Sequence, residues 1–240
     1  MIVERPGRLI LVPTPIGNLS DMSERAIETL KSVDLIACED TRTSGVLLSH
    51  FGIETPKTSF HAHNEHGKSS RLVEEMIRGK DVALISDAGS PGISDPGYLL
   101  VRAALNAHLE VTSLPGATAL IPALAASGLP TDRFAFEGFL PQKKGRQTRI
   151  LALVEEDRTV VLYESPHRLG KLLKHLVEAA GGDRQAVVAR EISKHFEEFR
   201  RGTLDELQEW VDGLDRVRGE IVLVLASRKV SDRMNTAQEA

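Results

Sequence analysis

Charged side chains cluster directly after three apolar runs of this sequence. These clusters are the segments Cys38 to Arg42, Tyr163 to Arg168 and Ala189 to Lys194. Each one mixes carboxylates with cations, so it could move a proton or could simply hold a strand end by ion pairing. Three such clusters at the same edge of a sheet favour a catalytic site. The candidate catalytic residues in them are Glu39, Asp40, Arg42, Glu164, His167, Arg190 and Lys194.

The segment from Ser86 to Gly97, which reads SDAGSPGISDPG, has the composition of a ligand-binding loop. It follows an apolar run that predicts a buried strand. Gly89, Gly92 and Gly97 allow backbone conformations and close approaches that side chains forbid. Two prolines stiffen the segment, while its carboxylates and hydroxyls offer hydrogen-bond acceptors to a polar ligand. An ordinary turn rich in glycine and proline is the alternative interpretation.

A second loop, Pro13 to Leu19, lies between a predicted strand and a predicted helix, where phosphate-binding loops are found. Pro13 and Pro15 lack the N–H groups that such a loop points at phosphate oxygens. Neither a Gly-Lys-Ser/Thr nor a G-x-G-x-x-G motif follows. A phosphate-free nucleoside such as S-adenosylmethionine is therefore favoured over a dinucleotide or a nucleoside triphosphate.

Two further features are weaker candidates for chemistry. Histidines and a carboxylate gather in His61 to His66, but their spacing matches no zinc motif, so a polar loop near a substrate is preferred over a metal site. Cys38 is the one cysteine of the chain and lies in an apolar run, which indicates a buried thiol rather than a nucleophile.

Composition limits the class of protein. The chain has 240 residues, of which 41% are hydrophobic and 27% are charged, and its formal net charge is −4. This length suits two compact domains, and the sequence shows no apolar run that predicts a membrane span or a signal peptide. We therefore expect a cytoplasmic protein with no membrane partner.

Because the net charge is negative, contact with nucleic acid is expected to be local. The strongest candidate is a short basic cluster in the second half of the chain. Its members, the candidate RNA-binding residues, are Lys143, Lys144, Arg146 and Arg149. A solvated surface is the alternative interpretation, since lysine and arginine are mostly exposed in any globular protein.

Strands and helices alternate along the first half of the chain, which predicts a parallel sheet with helices on its faces. Ligands bind above the carboxyl ends of such strands, where both loops fall. The second half has two strands separated by a short loop, so a mixed sheet is expected there. We expect an N-terminal α/β domain at 1–116, a C-terminal α/β domain at 117–228 and a frayed polar tail at 229–240.

Several long stretches of the sequence are specific enough for comparison with known families. They read LVPTPIGNLSDMSERAIETL, VDLIACEDTRTS, SFHAHNE, ALISDAGSPGISDPG, LPGATALIPALAASGLPTDRFAFEGFLP, YESPHRL, and ARE followed by FEE and RGTL. Together they resemble the ribosomal RNA small subunit methyltransferase I family, which lies within the tetrapyrrole methylase superfamily. The resemblance extends from Arg8 to Leu225, nearly the whole chain.

The resemblance implies a two-domain class III methyltransferase fold of the α/β class, with the cofactor S-adenosylmethionine in the cleft between domains. It implies a homodimer that methylates the ribose 2′-oxygen of a cytidine in the decoding centre of 16S ribosomal RNA, in the assembled small subunit. The product of the cofactor would be S-adenosylhomocysteine. The cofactor-binding residues implied are Pro13, Asp87, Gly89, Ile93, Thr118, Ala119, Ala189 and Gly219.

Methyl transfer from a sulfonium is an in-line displacement that needs aligned reactants and no metal. The weakly acidic 2′-hydroxyl still needs a base. In this hypothesis Arg42 and Arg190 bind RNA phosphate, and Glu39 or Glu164 orients or deprotonates the hydroxyl. Two other functions remain open. One is methylation of a small anionic ring such as a precorrin, and the other is a catalytically silent module that binds the nucleoside and recruits partners to the ribosome.

Overall fold

The computed structural model describes residues 5–238, and the chain divides into two compact units between Thr118 and Ala119. The sequence placed this boundary after residue 116. Each unit contains one five-stranded sheet with helices packed against it. No helix within residues 5–238 is long and apolar enough to cross a membrane.

The first unit holds a parallel sheet, as predicted. Its strands are β1 (Leu9–Leu11), β2 (Leu35–Cys38), β3 (Lys57–Ser59), β4 (Val82–Ile85) and β5 (Val111–Ser113). Their order across the sheet is β3-β2-β4-β1-β5. The helices that connect them are α1 (Glu24–Ser32), α2 (Thr41–His50), α3 (Glu65–Ile77) and α4 (Tyr98–Asn106).

Alternating side chains of these strands build two hydrophobic layers, one on each face of the sheet. Ile36 and Ala83 pack with α1 and α2, whereas Ala37 and Val82 pack with α3 and α4. The neighbouring strands β1 and β4 are therefore followed by helices on opposite faces, α1 and α4. A crevice opens at such a point in an open α/β sheet, above the carboxyl ends of the two strands.

Local capping explains where the helices begin. Ser23 Oγ accepts a hydrogen bond from the Ala26 N–H (3.2 Å) and starts α1. The α2 helix begins at Thr41, because the Asp40 carboxylate caps it by accepting from the Arg42 N–H (2.8 Å).

The second unit contains a mixed sheet, which confirms the prediction. Its strands are β6 (Phe134–Phe139), β7 (Thr159–Glu164), β8 (Gln185–Arg190), β9 (Glu198–Thr203) and β10 (Ile221–Leu225), and their order is β6-β7-β10-β8-β9. The helices are α5 (Leu120–Ala125), α6 (Arg146–Val154), α7 (Leu169–Ala180), α8 (Leu204–Asp212) and α9 (Arg228–Gln238).

The β10 strand lies between β7 and β8 and runs antiparallel to both. Its first residue, Ile221, consequently pairs with the last residue of each neighbour, Glu164 and Arg190. The polar segments that follow β7 and β8 therefore meet at one edge of this sheet.

The prediction of a frayed tail at 229–240 was wrong for the residues that the structure describes. Residues 228–238 form α9, which docks against the start of β8 through hydrogen bonds. The Gln185 N–H donates to Ser231 Oγ (2.8 Å), and the Gln185 side-chain amide donates to Asn235 Oδ1 (2.6 Å). The sequence analysis missed this helix because polar contacts, rather than a wide apolar stripe, hold it. Residues 239–240 of the expected tail lie outside the described part of the chain.

Candidate active site

The two predicted ligand loops of the first unit are joined by backbone hydrogen bonds. Thr14 and Gly89 each donate an N–H to the other's carbonyl at 2.9 Å, and Thr14 Oγ1 donates to the Ser86 carbonyl (3.1 Å). Gly89 has φ +83°, and a Cβ there would lie 3.4 Å from Ile16 Cγ2. The loops after β1 and β4 thus form one surface, and glycine is required where they meet.

The segment after β5 joins the same edge. Ser90 Oγ donates to the Ala117 carbonyl (3.2 Å), and the backbone of Gly116 lies against the ring of Pro13. Thr118 follows directly and is half-buried. The structure therefore brings together Pro13 and Gly89, two of the predicted cofactor positions, at the carboxyl edge of the parallel sheet. The residues that precede a third such position, Thr118, lie at the same edge.

Substitution of Gly116 by alanine should disturb this edge. An added Cβ would lie 2.6 Å from Pro13 Cβ, and a proline ring cannot rotate away, so the backbone must shift. Overpacking of this kind costs about 1–3 kcal/mol, and we expect weaker cofactor binding together with a lower melting temperature. Isothermal titration and thermal unfolding would measure both effects.

Gly67→Ala is a matched control for Gly116→Ala, because Gly67 lies in α3 with open space around it. It should be neutral or slightly stabilising. Equal cofactor affinity in the two variants would contradict the assignment of the Pro13 loop to the ligand site.

Three carboxylates converge at this edge: Glu39 after β2, and Asp87 and Asp95 after β4. The Asp40 N–H donates to Asp87 Oδ1 (3.1 Å), which ties the two strand ends together. Burial and the charge of Glu39 raise the pKa of Asp95 to about 6, although a hydrogen bond from Ser86 opposes the shift. Burial and the charge of Asp87 likewise raise the pKa of Glu39. Both are better proton acceptors than ordinary carboxylates.

Asp95→Asn should stabilise the protein at neutral pH. The folded-state pKa of about 6 lies above the ordinary value of 3.8, so the native state binds more protons and stability falls as pH rises between these values. Asparagine cannot ionise, so the Asp95→Asn variant does not lose this stability. Its melting temperature should exceed that of the wild type at pH 8 and match it below pH 4. Asp132→Asn, at an exposed position of the second unit, is the control substitution. An Asp95→Asn effect that is equal at both pH values would contradict the raised pKa of Asp95.

The histidine-rich segment supports the glycine loop. Glu65 Oε1 accepts from the N–H groups of Gly97 and Leu99, each at 3.1 Å, at the N-terminus of α4. Asn64 contacts the His61 ring at 3.1 Å and accepts from the His61 N–H, which fixes the turn. Across residues 5–238, no three histidine, cysteine or carboxylate side chains are grouped as metal ligands.

Asp40 and Arg42 form an exposed ion pair. The guanidinium donates to Asp40 Oδ2 at 2.8 Å, and hydrogen bonds from the Arg42 side chain and backbone lower the pKa of Asp40 to about 2. Asp40 is therefore a poor base at neutral pH. The Arg42 side chain is 90% exposed and is available to an anion.

Glu164, a candidate base, has both carboxylate oxygens occupied. Its Oε2 accepts from Arg146 (2.7 Å), and its Oε1 accepts from Arg168 and from the Ser165 N–H, each at 2.8 Å. The side chain is 0% exposed. This geometry fits a structural anchor and leaves no free oxygen for a substrate hydroxyl. His167, in the same turn, is exposed.

The third cluster is also a set of ion pairs. Arg190 donates to Glu198 (2.9 and 3.1 Å), while the Lys194 ammonium contacts Glu191 (3.0 Å) and Glu220 (3.1 Å). Burial would lower the pKa of Lys194, but these two hydrogen bonds outweigh it and raise the pKa, so Lys194 stays charged. Of the cofactor residues predicted in the second unit, Ala189 is buried in β8, Gly219 lies against Glu191 with φ +88°, and Ala119 precedes α5.

Two expectations are corrected here. The three charged clusters do not share one sheet edge, because the first follows the parallel sheet and the other two follow the mixed sheet. The basic cluster is also smaller than predicted, since the Arg146 side chain is only 8% exposed. Arg149 is half exposed and pairs with Glu137. Lys143 and Lys144 are exposed.

The sequence matches the family described as Tetrapyrrole (Corrin/Porphyrin) Methylases over residues 8–208. It is 51% identical to the Ribosomal RNA small subunit methyltransferase I of Synechocystis sp., covering 97% of this chain and 84% of that protein. It is 52% identical to the protein of the same name from Pseudomonas aeruginosa, covering 92% of this chain and 79% of that protein.

Solved structures show the same fold at lower sequence identity. Uroporphyrin-III-C-methyltransferase from Thermus thermophilus is 21% identical, with a TM-score of 0.65 over 92% of this chain and 95% of its own. A diphthine synthase is 18% identical, with a TM-score of 0.68 over 92% of this chain and 90% of its own. The chain belongs to the tetrapyrrole methylase family and, within it, to the ribosomal RNA small subunit methyltransferase I proteins.

Proposed function

We propose that this protein transfers a methyl group from S-adenosylmethionine to the ribose 2′-oxygen of a cytidine in the decoding centre of 16S ribosomal RNA. The observation that carries the proposal is the 51% identity, over 97% of the chain, to a methyltransferase named for small-subunit ribosomal RNA. A homodimer and a cytoplasmic place of action, beside the ribosome, belong to the same proposal.

The acidic edge of the first unit suits this cofactor. S-adenosylmethionine has cationic sulfonium and ammonium groups, which the carboxylates of Asp87 and Asp95 would complement. The loop from Pro13 to Leu19 suits a nucleoside without phosphates, because its two prolines have no N–H groups to donate to phosphate oxygens. The glycines of the second loop allow a ligand to approach the backbone closely. When bound, the cofactor supplies an electrophilic methyl group. In the proposal it contacts Pro13, Asp87, Gly89, Ile93, Thr118, Ala119, Ala189 and Gly219.

Among the carboxylates of the three charged clusters, Glu39 is the base favoured for the substrate hydroxyl. Its pKa is raised by burial and by Asp87, so it accepts a proton more readily than Asp40, whose pKa is about 2. Glu164 lacks a free oxygen, since two arginines and a backbone N–H occupy it. Arg42 is exposed and suits an RNA phosphate, whereas Arg190 would have to leave Glu198 to bind one.

The deciding experiment is transfer of labelled methyl from S-adenosylmethionine to small ribosomal subunits that lack the modification, followed by mass spectrometry of the nucleosides. We expect 2′-O-methylcytidine as the product. Parallel reactions with naked 16S RNA and with an anionic tetrapyrrole test the two other acceptors. Cofactor binding without incorporation into any of them would overturn the proposal in favour of a silent binding module.

A further inference from the structure

An ion triad lies at the end of β7, with Glu164 and Arg146 buried and Arg168 partly exposed. Glu164 is enclosed and binds two arginines, Arg146 at the start of α6 and Arg168 just before α7. Taking these charges out of water is costly, and a well-packed apolar cluster of similar volume is often at least as stable. Fold stability alone therefore does not account for the triad.

Arg146 closes the loop that carries the two exposed lysines of the basic cluster. Its Nη1 donates to the Pro141 carbonyl (3.3 Å), and its backbone N–H donates to the Lys143 carbonyl (3.3 Å). Gly145, with φ +85°, supplies the left-handed residue of the turn. The start of the Pro141 to Arg146 loop, at Pro141, and its middle, at Lys143, are thereby fixed to Arg146, which Glu164 fixes to β7.

We propose that Arg146 is a positioning residue for the RNA substrate: anchored by Glu164, it holds Lys143 and Lys144 in the arrangement that binds the phosphate backbone. The inference rests on the proposed function and adds the device that orients the RNA surface. A rigid loop lowers the entropy lost when two flexible lysines engage phosphates. The guanidinium itself is too buried to meet RNA.

The test is a thermodynamic cycle on RNA affinity. Wild type, Arg146→Met, Lys143→Ala/Lys144→Ala and the triple variant are titrated with small ribosomal subunits that lack the modification, at several salt concentrations. In Arg146→Met, Glu164 keeps Arg168 and the Ser165 N–H as partners. Arg158→Met is the control, because Arg158 pairs at the surface with Glu156 in the same unit. If Arg146→Met does not fold, Arg146→Lys takes its place in the cycle. A single lysine ammonium cannot make both the contact with Glu164 and the contact with the Pro141 carbonyl.

We expect Arg146→Met to weaken RNA binding about tenfold, and the double lysine variant to reduce the slope of log K against log salt by about 1.5. Cofactor affinity should not change in either. In the background without the lysines, Arg146→Met should have no further effect, because no cation is left to position. Arg158→Met should bind like wild type.

Three results would each overturn the positioning role. The first is a triple variant whose loss of RNA-binding free energy equals the sum of the losses in Arg146→Met and in the double lysine variant. The others are an unchanged RNA affinity in Arg146→Met and an unchanged RNA affinity in the double lysine variant. All three results are compatible with a wild type that methylates ribosomal RNA. A wild type that neither binds nor methylates these subunits would instead overturn the proposed function, and the positioning role with it.

Discussion

Replacement of Glu39 by glutamine is expected to lower the rate of methyl transfer by about 10² to 10⁴-fold, the range typical of a lost general base. Glutamine keeps the size of the side chain and its position after β2, but it cannot accept a proton. Because the loss concerns the chemical step, kcat should fall while the dissociation constant of S-adenosylmethionine changes little. Single-turnover methylation of small subunits measures the first quantity, and calorimetry measures the second.

The pH profile supplies an independent check on Glu39. Its pKa is raised, so wild-type activity should fall as pH drops through that value and the carboxylate becomes protonated. The residual activity of Glu39→Gln should not show this fall at low pH. Glu54→Gln, at an exposed position of the same unit, is the matched control and should retain wild-type turnover. Normal turnover by Glu39→Gln would exclude Glu39 as the base and leave Asp95 as the next candidate.

Glu164→Ala should produce the largest loss of stability among the site variants. Removal of this carboxylate leaves the buried Arg146 guanidinium without its anion, and breaking a buried pair in this way costs about 3–5 kcal/mol. A matched change, Glu156→Ala, removes the partly exposed partner of Arg158 and should alter stability much less. Urea unfolding followed by circular dichroism gives the free energy of unfolding for both.

A loss of less than about 1 kcal/mol in Glu164→Ala would show that water reaches Arg146 and that the triad is not enclosed as described. The comparison with Arg146→Met is informative, since that variant leaves the carboxylate with Arg168 and a backbone donor. It should therefore be considerably more stable than Glu164→Ala.

The fold class could be predicted because it depends on patterns that a sequence displays. Alternating strands and helices indicated the parallel sheet, and the short loop between β8 and β9 indicated the mixed one. Short or polar elements escaped notice. The β3 strand has only three residues, and α3 and α9 are rich in charged and polar side chains, so tertiary contacts decide their structure.

The site was predictable to the extent that it is local. Glycines and prolines predicted the two loops that the structure joins, because their backbone properties do not depend on the rest of the fold. Roles that depend on burial or distant partners were not visible. The raised pKa of Asp95 and the capping of α4 by Glu65 arise from long-range packing. For the same reason, Arg146 was interpreted as an exposed RNA contact although Glu164 binds it.

The central place of β10 has a consequence for synthesis on the ribosome. Residues 221–225 separate β7 from β8, so these two strands have no partner between them until residue 225 has been made. Both are apolar, with Leu162 and Val188 fully buried in the finished sheet. A nascent chain lacking β10 would expose two unpaired strand edges, the kind of surface that aggregates or recruits a chaperone. The first unit, whose strands are all complete by residue 113, can fold beforehand.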